Sequence, residues 1–324
     1  MMEPMAIPNL PLQTAVDHYL VALRVEGAAP TTIATYRSVL AAYLRWATTE
    51  QPPTLADFTL VRVRTYVAYL MGEHVRFSHH RAKRAGGRLS DHTINLHGRA
   101  LRAFAAWLAR EEYTATHVLA RFRPLRPRTK PIVPLTTDEF RKLVAALTGP
   151  ARLRARGRAM LYLLFDTGIR ASELAEIRLD DLDLAAGTLR VRGKGSQRQR
   201  VKWRTVGMGV LAQRAVQQYA YRYRPPAIPV GEDRVFLTRE GRGMTRHTVH
   251  RFVKVLGQRA GVARAHPHLF RHSTGVAFLR SGGSESVLQR ILGHSSREMV
   301  EHYMHLADTD VTQLHRRHSP LDHL

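Results

Sequence analysis

The sequence predicts a mainly α-helical protein with one small antiparallel sheet, arranged as an N-terminal four-helix domain and a C-terminal mixed α/β domain. Three observations lead there. Apolar residues recur at helical spacing through residues 11–120. A proline- and arginine-rich stretch then interrupts the pattern. Beyond it helical spacing returns, broken by a single pair of alternating segments around a Gly-Lys-Gly turn.

The helices follow in order. Val16, Leu20 and Leu23 mark the first, and Gly27 is placed to end it. Thr31 or Thr32 opens the second, with Ile33, Tyr36, Leu40, Tyr43 and Ala47 on one face. Leu60, Val63, Val67 and Leu70 define the third. Ser90 caps the fourth, which carries Ile94, Leu101, Phe104 and Leu108. Between the third and fourth lies a basic loop with Arg76, Arg81, Lys83, Arg84 and Arg88, no acid, and a Gly86-Gly87 pair. Charge runs are most often solvated loops, but the charge of the whole chain makes this one a candidate to face DNA. The first domain is expected to span residues 1–122.

Residues 123–134 form the expected linker. Its alternating prolines with Arg126, Arg128 and Lys130 favour an extended segment that could lie along a phosphate backbone. The second domain, residues 135–324, opens with a helix capped by Thr136 or Thr137 and continuing through Phe140, Leu143 and Leu147. Thr188–Arg192 and Gln199–Trp203 alternate about Gly193-Lys194-Gly195, which reads as a hairpin. Helical patterns then run on, with breaks at Pro225-Pro226 and Gly282-Gly283.

Composition narrows the partners. The net charge is +24, which points to nucleic acid, because neutralising phosphates releases condensed counterions. An anionic membrane is the other candidate, but neither a basic amphipathic anchor nor a hydrophobic span is apparent, so no membrane association is expected. With no cysteine, disulfides, zinc ribbons and thiol nucleophiles are excluded. No secretory signal is evident after Met1-Met2-Glu3-Pro4, and a cytoplasmic, nucleoid-associated location is expected. Of the 50 basic residues 44 are arginine, so a single arginine means little without context.

Four local patterns supply that context. In Asp166-Thr167-Gly168-Ile169-Arg170-Ala171-Ser172-Glu173, one helix stops at Gly168 and another starts at once, leaving Arg170 at the junction and Glu173 within its reach. Taken alone, this is a surface ion pair. Lys194, one of six lysines, sits at the hairpin tip, where most lysines are merely solvated. In His266-Pro267-His268-Leu269-Phe270-Arg271-His272, Pro267 suits a first helical position, and His268, Arg271 and His272 share one face. A metal is not expected there, because Arg271 would repel it and no carboxylate completes a ligand set. Phosphate fits better. Finally, Gly293 ends a helix, Ser295 and Glu298 match a capping box for the next, His294 stands at the corner, and Tyr303 follows two turns on. Together these residues are the inventory for attacking a phosphodiester without metal: arginines to neutralise oxygens, a lysine to protonate the leaving oxygen, and a phenol nucleophile.

The order Arg170, Lys194, His268-x-x-Arg271, His294, Tyr303, set in Thr-Gly-Ile-Arg-Ala-Ser-Glu-Leu, Gly-Lys-Gly, Pro-His-Leu-Phe-Arg-His-Ser, Leu-Gly-His-Ser-Ser and Glu-His-Tyr, resembles the tyrosine recombinase (phage integrase) family, close to its Xer-like branch. The resemblance spans nearly the whole chain. It implies an N-terminal SAM-like core-binding domain and a tyrosine-recombinase catalytic domain. It also implies site-specific DNA recombination or integration through a 3′-phosphotyrosine, with no metal, ATP or other cofactor. By that resemblance Arg170 and Arg271 clamp the phosphate, and Lys194 is the general acid. His268 assists deprotonation of Tyr303, His294 donates to the phosphate, and Glu173 and His272 support. Double-stranded recombination sites and a homo- or hetero-tetramer in the synaptic complex are implied as partners. The loop of residues 76–88 is longer than the Xer pattern, which favours a mobile-element enzyme active in integration or transposition.

Three other classes compete. A metal-dependent transposase or nuclease needs converging carboxylates, which the four patterns lack. A type IB topoisomerase shares the chemistry but relaxes supercoils without exchanging strands. A DNA-binding regulator on the same scaffold need not retain all six residues.

Overall fold

The computed structural model describes residues 9–48, 51–72, 89–127, 132–193, 203–293, 319 and 321. They fall into two compact units, one built from the helices up to residue 127 and the other from residue 132 onward. No helix among the described residues is long and apolar enough to cross a membrane.

The first unit contains the four expected helices, α1 (Leu12–Val25), α2 (Pro30–Ala47), α3 (Leu60–Gly72) and α4 (Asp91–Arg110). Past the end of α1, Gly27 takes φ +74° and Ala28 N–H closes onto the Leu23 carbonyl at 2.9 Å. The start of α2 differs from the threonine cap expected. Pro30 holds the first helical position behind Ala29, where its missing N–H costs no hydrogen bond. Ser90 caps α4 through Thr93 N–H at 3.2 Å. The core is strongly aromatic, with Tyr43 meeting Phe58 and Tyr66 edge-on at 5.6 and 5.1 Å. Leu125, the third residue of the expected linker, packs on this core, and the Asn95 amide donates to its carbonyl. The basic connection therefore leaves the unit anchored.

The second unit holds α5 (Thr137–Ala145), α6 (Ala151–Thr167), α7 (Ala171–Glu176), β1 (Leu182–Asp183), β2 (Thr188–Arg192) and β3 (Trp203–Gly207). They are followed by α8 (Val210–Gln218), α9 (Arg246–Arg259), α10 (Pro267–Arg280) and α11 (Glu285–Leu292), with a π-helical turn at Tyr219–Tyr223. Thr136 caps α5 in a reciprocal box with Glu139, at 3.1 and 2.9 Å. The sheet is antiparallel in the order β1-β2-β3.

The third strand pairs with β2 as the expected hairpin requires. Among the described residues it runs over Trp203–Gly207, with Val191 opposite Arg204 and Leu189 opposite Val206, while Gln199–Lys202 of the expected strand lie outside the described residues. Residues on one face of a strand alternate, so Arg204 and Val206 point inward while Trp203 stays about half exposed, with the Arg190 guanidinium 5.0 Å over its ring. Helix α10 crosses the middle of this unit and is buried on nearly every side, from Pro267 through Val276. Thr274 Oγ1 donates to the Phe165 carbonyl at 2.7 Å, and Ser273 Oγ accepts Leu135 N–H at 2.8 Å. Those bonds fix α10 against α6 and the start of the unit.

Candidate active site

Helix α6 stops at Gly168, which takes φ +61°. A Cβ there would lie 2.6 Å from Leu292 Cδ2, so both the backbone conformation and the space call for glycine. Buried Ile169 anchors the turn, and Arg170 becomes the residue that opens α7. Its backbone N–H donates to Glu173 Oε2 at 2.8 Å, and its Nη1 donates to Glu173 Oε1 at 2.9 Å. Its Nη2 approaches the Gly293 carbonyl at 3.5 Å. The Arg170 side chain is 34 % exposed and open to a ligand, whereas Glu173 is 4 % exposed.

Glu173 has a second cation. Arg204 grips it with both terminal nitrogens, Nη1 to Oε1 at 2.8 Å and Nη2 to Oε2 at 2.9 Å. Burial alone would raise the Glu173 pKa. The hydrogen bonds and charge of Arg204, with those of Arg170, outweigh it and hold the carboxyl down at about 2. Arg204 is a member of this cluster that sequence reasoning did not place there. Its signal was faint: a glutamate this close to a core, in a strand-bearing domain, needs more than one exposed arginine to stay charged.

Arg271 lies one face over on α10 and is 1 % exposed. Its Nη1 donates to the Gly168 carbonyl at 2.7 Å and its Nη2 to the Leu292 carbonyl at 2.6 Å. The two carbonyls belong to the ends of α6 and α11, so one side chain ties both ends to α10. His268 sits a turn earlier and is exposed. Crowding by protein atoms lowers its pKa first, and the positive charges of Arg271, His266, Arg170 and His250 lower it further. His272 is buried and stands edge-on to His268, with ring centroids 4.7 Å apart.

The structure therefore brings together Arg170, Glu173, His268, Arg271 and His272 from the sequence-derived set. Arg126 is exposed in the first unit. Lys194, His294 and Tyr303 lie outside the described residues, as do Arg76, Arg81, Lys83, Arg84, Arg88, Arg128 and Lys130. So does the capping box expected at Ser295 and Glu298.

Three guanidinium groups against one carboxylate leave a net positive centre, with a neutral-leaning imidazole beside it. Such a centre suits an anionic phosphodiester, and in a chain of net charge +24 it defines a protein that handles nucleic-acid backbones. Comparison with known proteins specifies the class. The model of the phage integrase family matches residues 134–310, and that of the phage integrase N-terminal SAM-like domain matches residues 16–112. Tyrosine recombinase XerC of Xanthomonas campestris pv. campestris (strain B100) is 32 % identical over 296 residues, covering 90 % of this chain and 84 % of the relative. Tyrosine recombinase XerD of Vibrio vulnificus (strain YJ016) is 29 % identical over 311 residues, covering 94 % and 95 %. Among solved structures, the Tn1549 transposon integrase in complex with a circular intermediate DNA superposes with TM-score 0.70 at 19 % identity, over 89 % of this chain and 94 % of that one. A lambda integrase dimer bound to a COC′ core site gives 0.66 at 19 %, over 90 % and 76 %. The chain belongs to the phage integrase family and is a tyrosine recombinase of the Xer-like branch. Its activity is site-specific recombination of DNA by strand cleavage and rejoining through a 3′-phosphotyrosine.

Proposed function

We propose that Arg170 and Arg271 clamp the scissile phosphate and that Tyr303 attacks it. The phenolate oxygen forms a bond to phosphorus as the bond to the 5′ oxygen breaks. Lys194 gives that oxygen its proton, His268 accepts the phenol proton, and His294 donates a hydrogen bond to the phosphate in the transition state. Glu173 and His272 hold this set in position. The product is a 3′-phosphotyrosine and a free 5′ hydroxyl, and attack by a 5′ hydroxyl of another strand reverses the bookkeeping of bonds without ATP or metal. The observation that supports this most is the convergence of Arg170 and Arg271 on the carbonyls at the end of α11, the helix that ends two residues before His294.

In this reading the second domain, residues 135–324, cuts DNA, and residues 1–122 form a DNA-binding domain. The linker of residues 123–134, with Arg126, Arg128 and Lys130, and the loop bearing Arg76, Arg81, Lys83, Arg84 and Arg88 contact phosphates. Recombination joins two sites in a homo- or hetero-tetramer, and the protein works in the cytoplasm on the nucleoid. Cleavage of a nicked suicide duplex containing the target site tests the clamp. The wild type should cleave in excess chelator, and Arg170→Lys should be slowed by about 100-fold or more, because one ammonium cannot reproduce the fork. Near-normal cleavage by the lysine variant, or loss of wild-type cleavage in chelator, would contradict it.

A further inference from the structure

The end of α11 presents three consecutive carbonyls, and each meets a guanidinium from a different element. Arg204 Nε donates to Ile291 at 2.9 Å, Arg271 Nη2 to Leu292 at 2.6 Å, and Arg170 Nη2 approaches Gly293 at 3.5 Å. A helix C-terminus leaves its last carbonyls without helical partners and carries the negative end of the dipole, so cations are favoured there. Two of these arginines already have parts in the proposed chemistry. The third, on β3, has none.

Arg204 uses Nε for Ile291 and both terminal nitrogens for Glu173. Its side chain is 14 % exposed. A role through direct contact with DNA would require breaking that arrangement, so any effect on the reaction must pass through its partners. The charge balance shows how. Arg170 with Glu173 alone is a neutral pair, which attracts a phosphate weakly. Arg170, Glu173 and Arg204 together carry one net positive charge. Arg204 also occupies both carboxylate oxygens, which limits how far Glu173 can draw the Arg170 fork inward.

We propose that Arg204 is a positioning residue for strand cleavage. It keeps Glu173 charged and shared, so that Arg170 stays cationic and turned toward the phosphate. It also pins the end of α11 to β3. In sequence β3 lies after Lys194 and the end of α11 lies just before His294, so Arg204 joins two described elements that neighbour those residues along the chain. A lysine could supply the charge but not the planar fork with a third donor. The inference rests on the reading of Arg170 as a phosphate clamp.

The test compares wild type, Arg204→Met, Arg204→Lys and Arg170→Ala on nicked suicide duplexes whose scissile linkage is either the phosphate or a neutral methylphosphonate. Strand-cleavage rate, DNA affinity and thermal midpoint are measured for each. On the phosphate substrate Arg204→Met should cleave about 100-fold more slowly and Arg204→Lys about 10-fold more slowly, with DNA affinity unchanged. On the methylphosphonate the deficit of both variants should shrink to a few-fold, because a neutral linkage has little need of the extra cation. A deficit equal on both substrates would mean that Arg204 only holds the fold, and would overturn the proposal. Should Arg204→Met fail to fold, the same comparison with Arg204→Lys decides. Normal cleavage by the Arg204 variants with Arg170→Ala impaired would sink this inference alone, whereas normal cleavage by Arg170→Ala would sink the clamp itself.

Discussion

Glu173 receives four hydrogen bonds from two arginines, and His268 stands in the field of several cations. Those two environments push in opposite senses on charge: one keeps a carboxylate ionised, the other keeps an imidazole neutral. A neutral His268 can accept the Tyr303 proton in the proposed mechanism. Because its pKa is lowered from 6.5, the neutral form persists as pH falls below that value. The cleavage rate of the wild type should therefore stay level down through pH 6.5 and decline only below it. An inflection at or above pH 6.5 that disappears in His268→Gln would contradict this, as would a His268→Gln rate within about tenfold of wild type. The side-chain clusters on α7 and α10 were legible in the sequence because their members are neighbours on one helical turn: Arg170 with Glu173, and His268 with Arg271 and His272. Arg204 was not legible. Its partners stand 31 and 87 residues away, and no local spacing relates them.

Among the elements, the helix ends carry the site more than the helix bodies do. Gly168 ends α6 and Gly293 ends α11, both in the left-handed region. The carbonyls they expose are the ones Arg271 and Arg170 meet. Glycine punctuation made these ends readable in advance, as did Pro267 at the start of α10 and Ser90 at the start of α4. The inner face of β3 was harder to read than its pairing. An alternating pattern assigns polar residues to the outer face, and Arg204 is a polar residue on the inner face, satisfied by Glu173 and a carbonyl. Gly168→Ala tests the importance of these ends. Strain at a positive φ and the clash with Leu292 should destabilise the protein by about 1–3 kcal/mol, seen as a lower thermal midpoint. Cleavage by the folded variant should fall as well, since Arg170 follows two residues on. An unchanged midpoint would contradict the role given to this turn.

At the scale of the molecule, a chain of net charge +24 combines a helical unit with an aromatic core and a second unit whose central helix carries Arg271 and His272. The two-part organisation was visible from helical periodicity and the Pro-Arg break, and the charge alone pointed to nucleic acid. Charge and periodicity carry no sign of which DNA is cut, because base readout depends on a few side chains and on DNA shape. The chemistry can be tested without knowing that site in full. The wild type is trapped on a nicked suicide duplex in chelator, digested with trypsin, and the DNA-linked peptide is identified by mass spectrometry. Residues 298–316 form one tryptic peptide and contain a single tyrosine, Tyr303. The DNA should be found on that peptide, and Tyr303→Phe should bind the duplex yet yield no adduct. An adduct on another peptide, or one that survives in Tyr303→Phe, would contradict Tyr303 as the nucleophile.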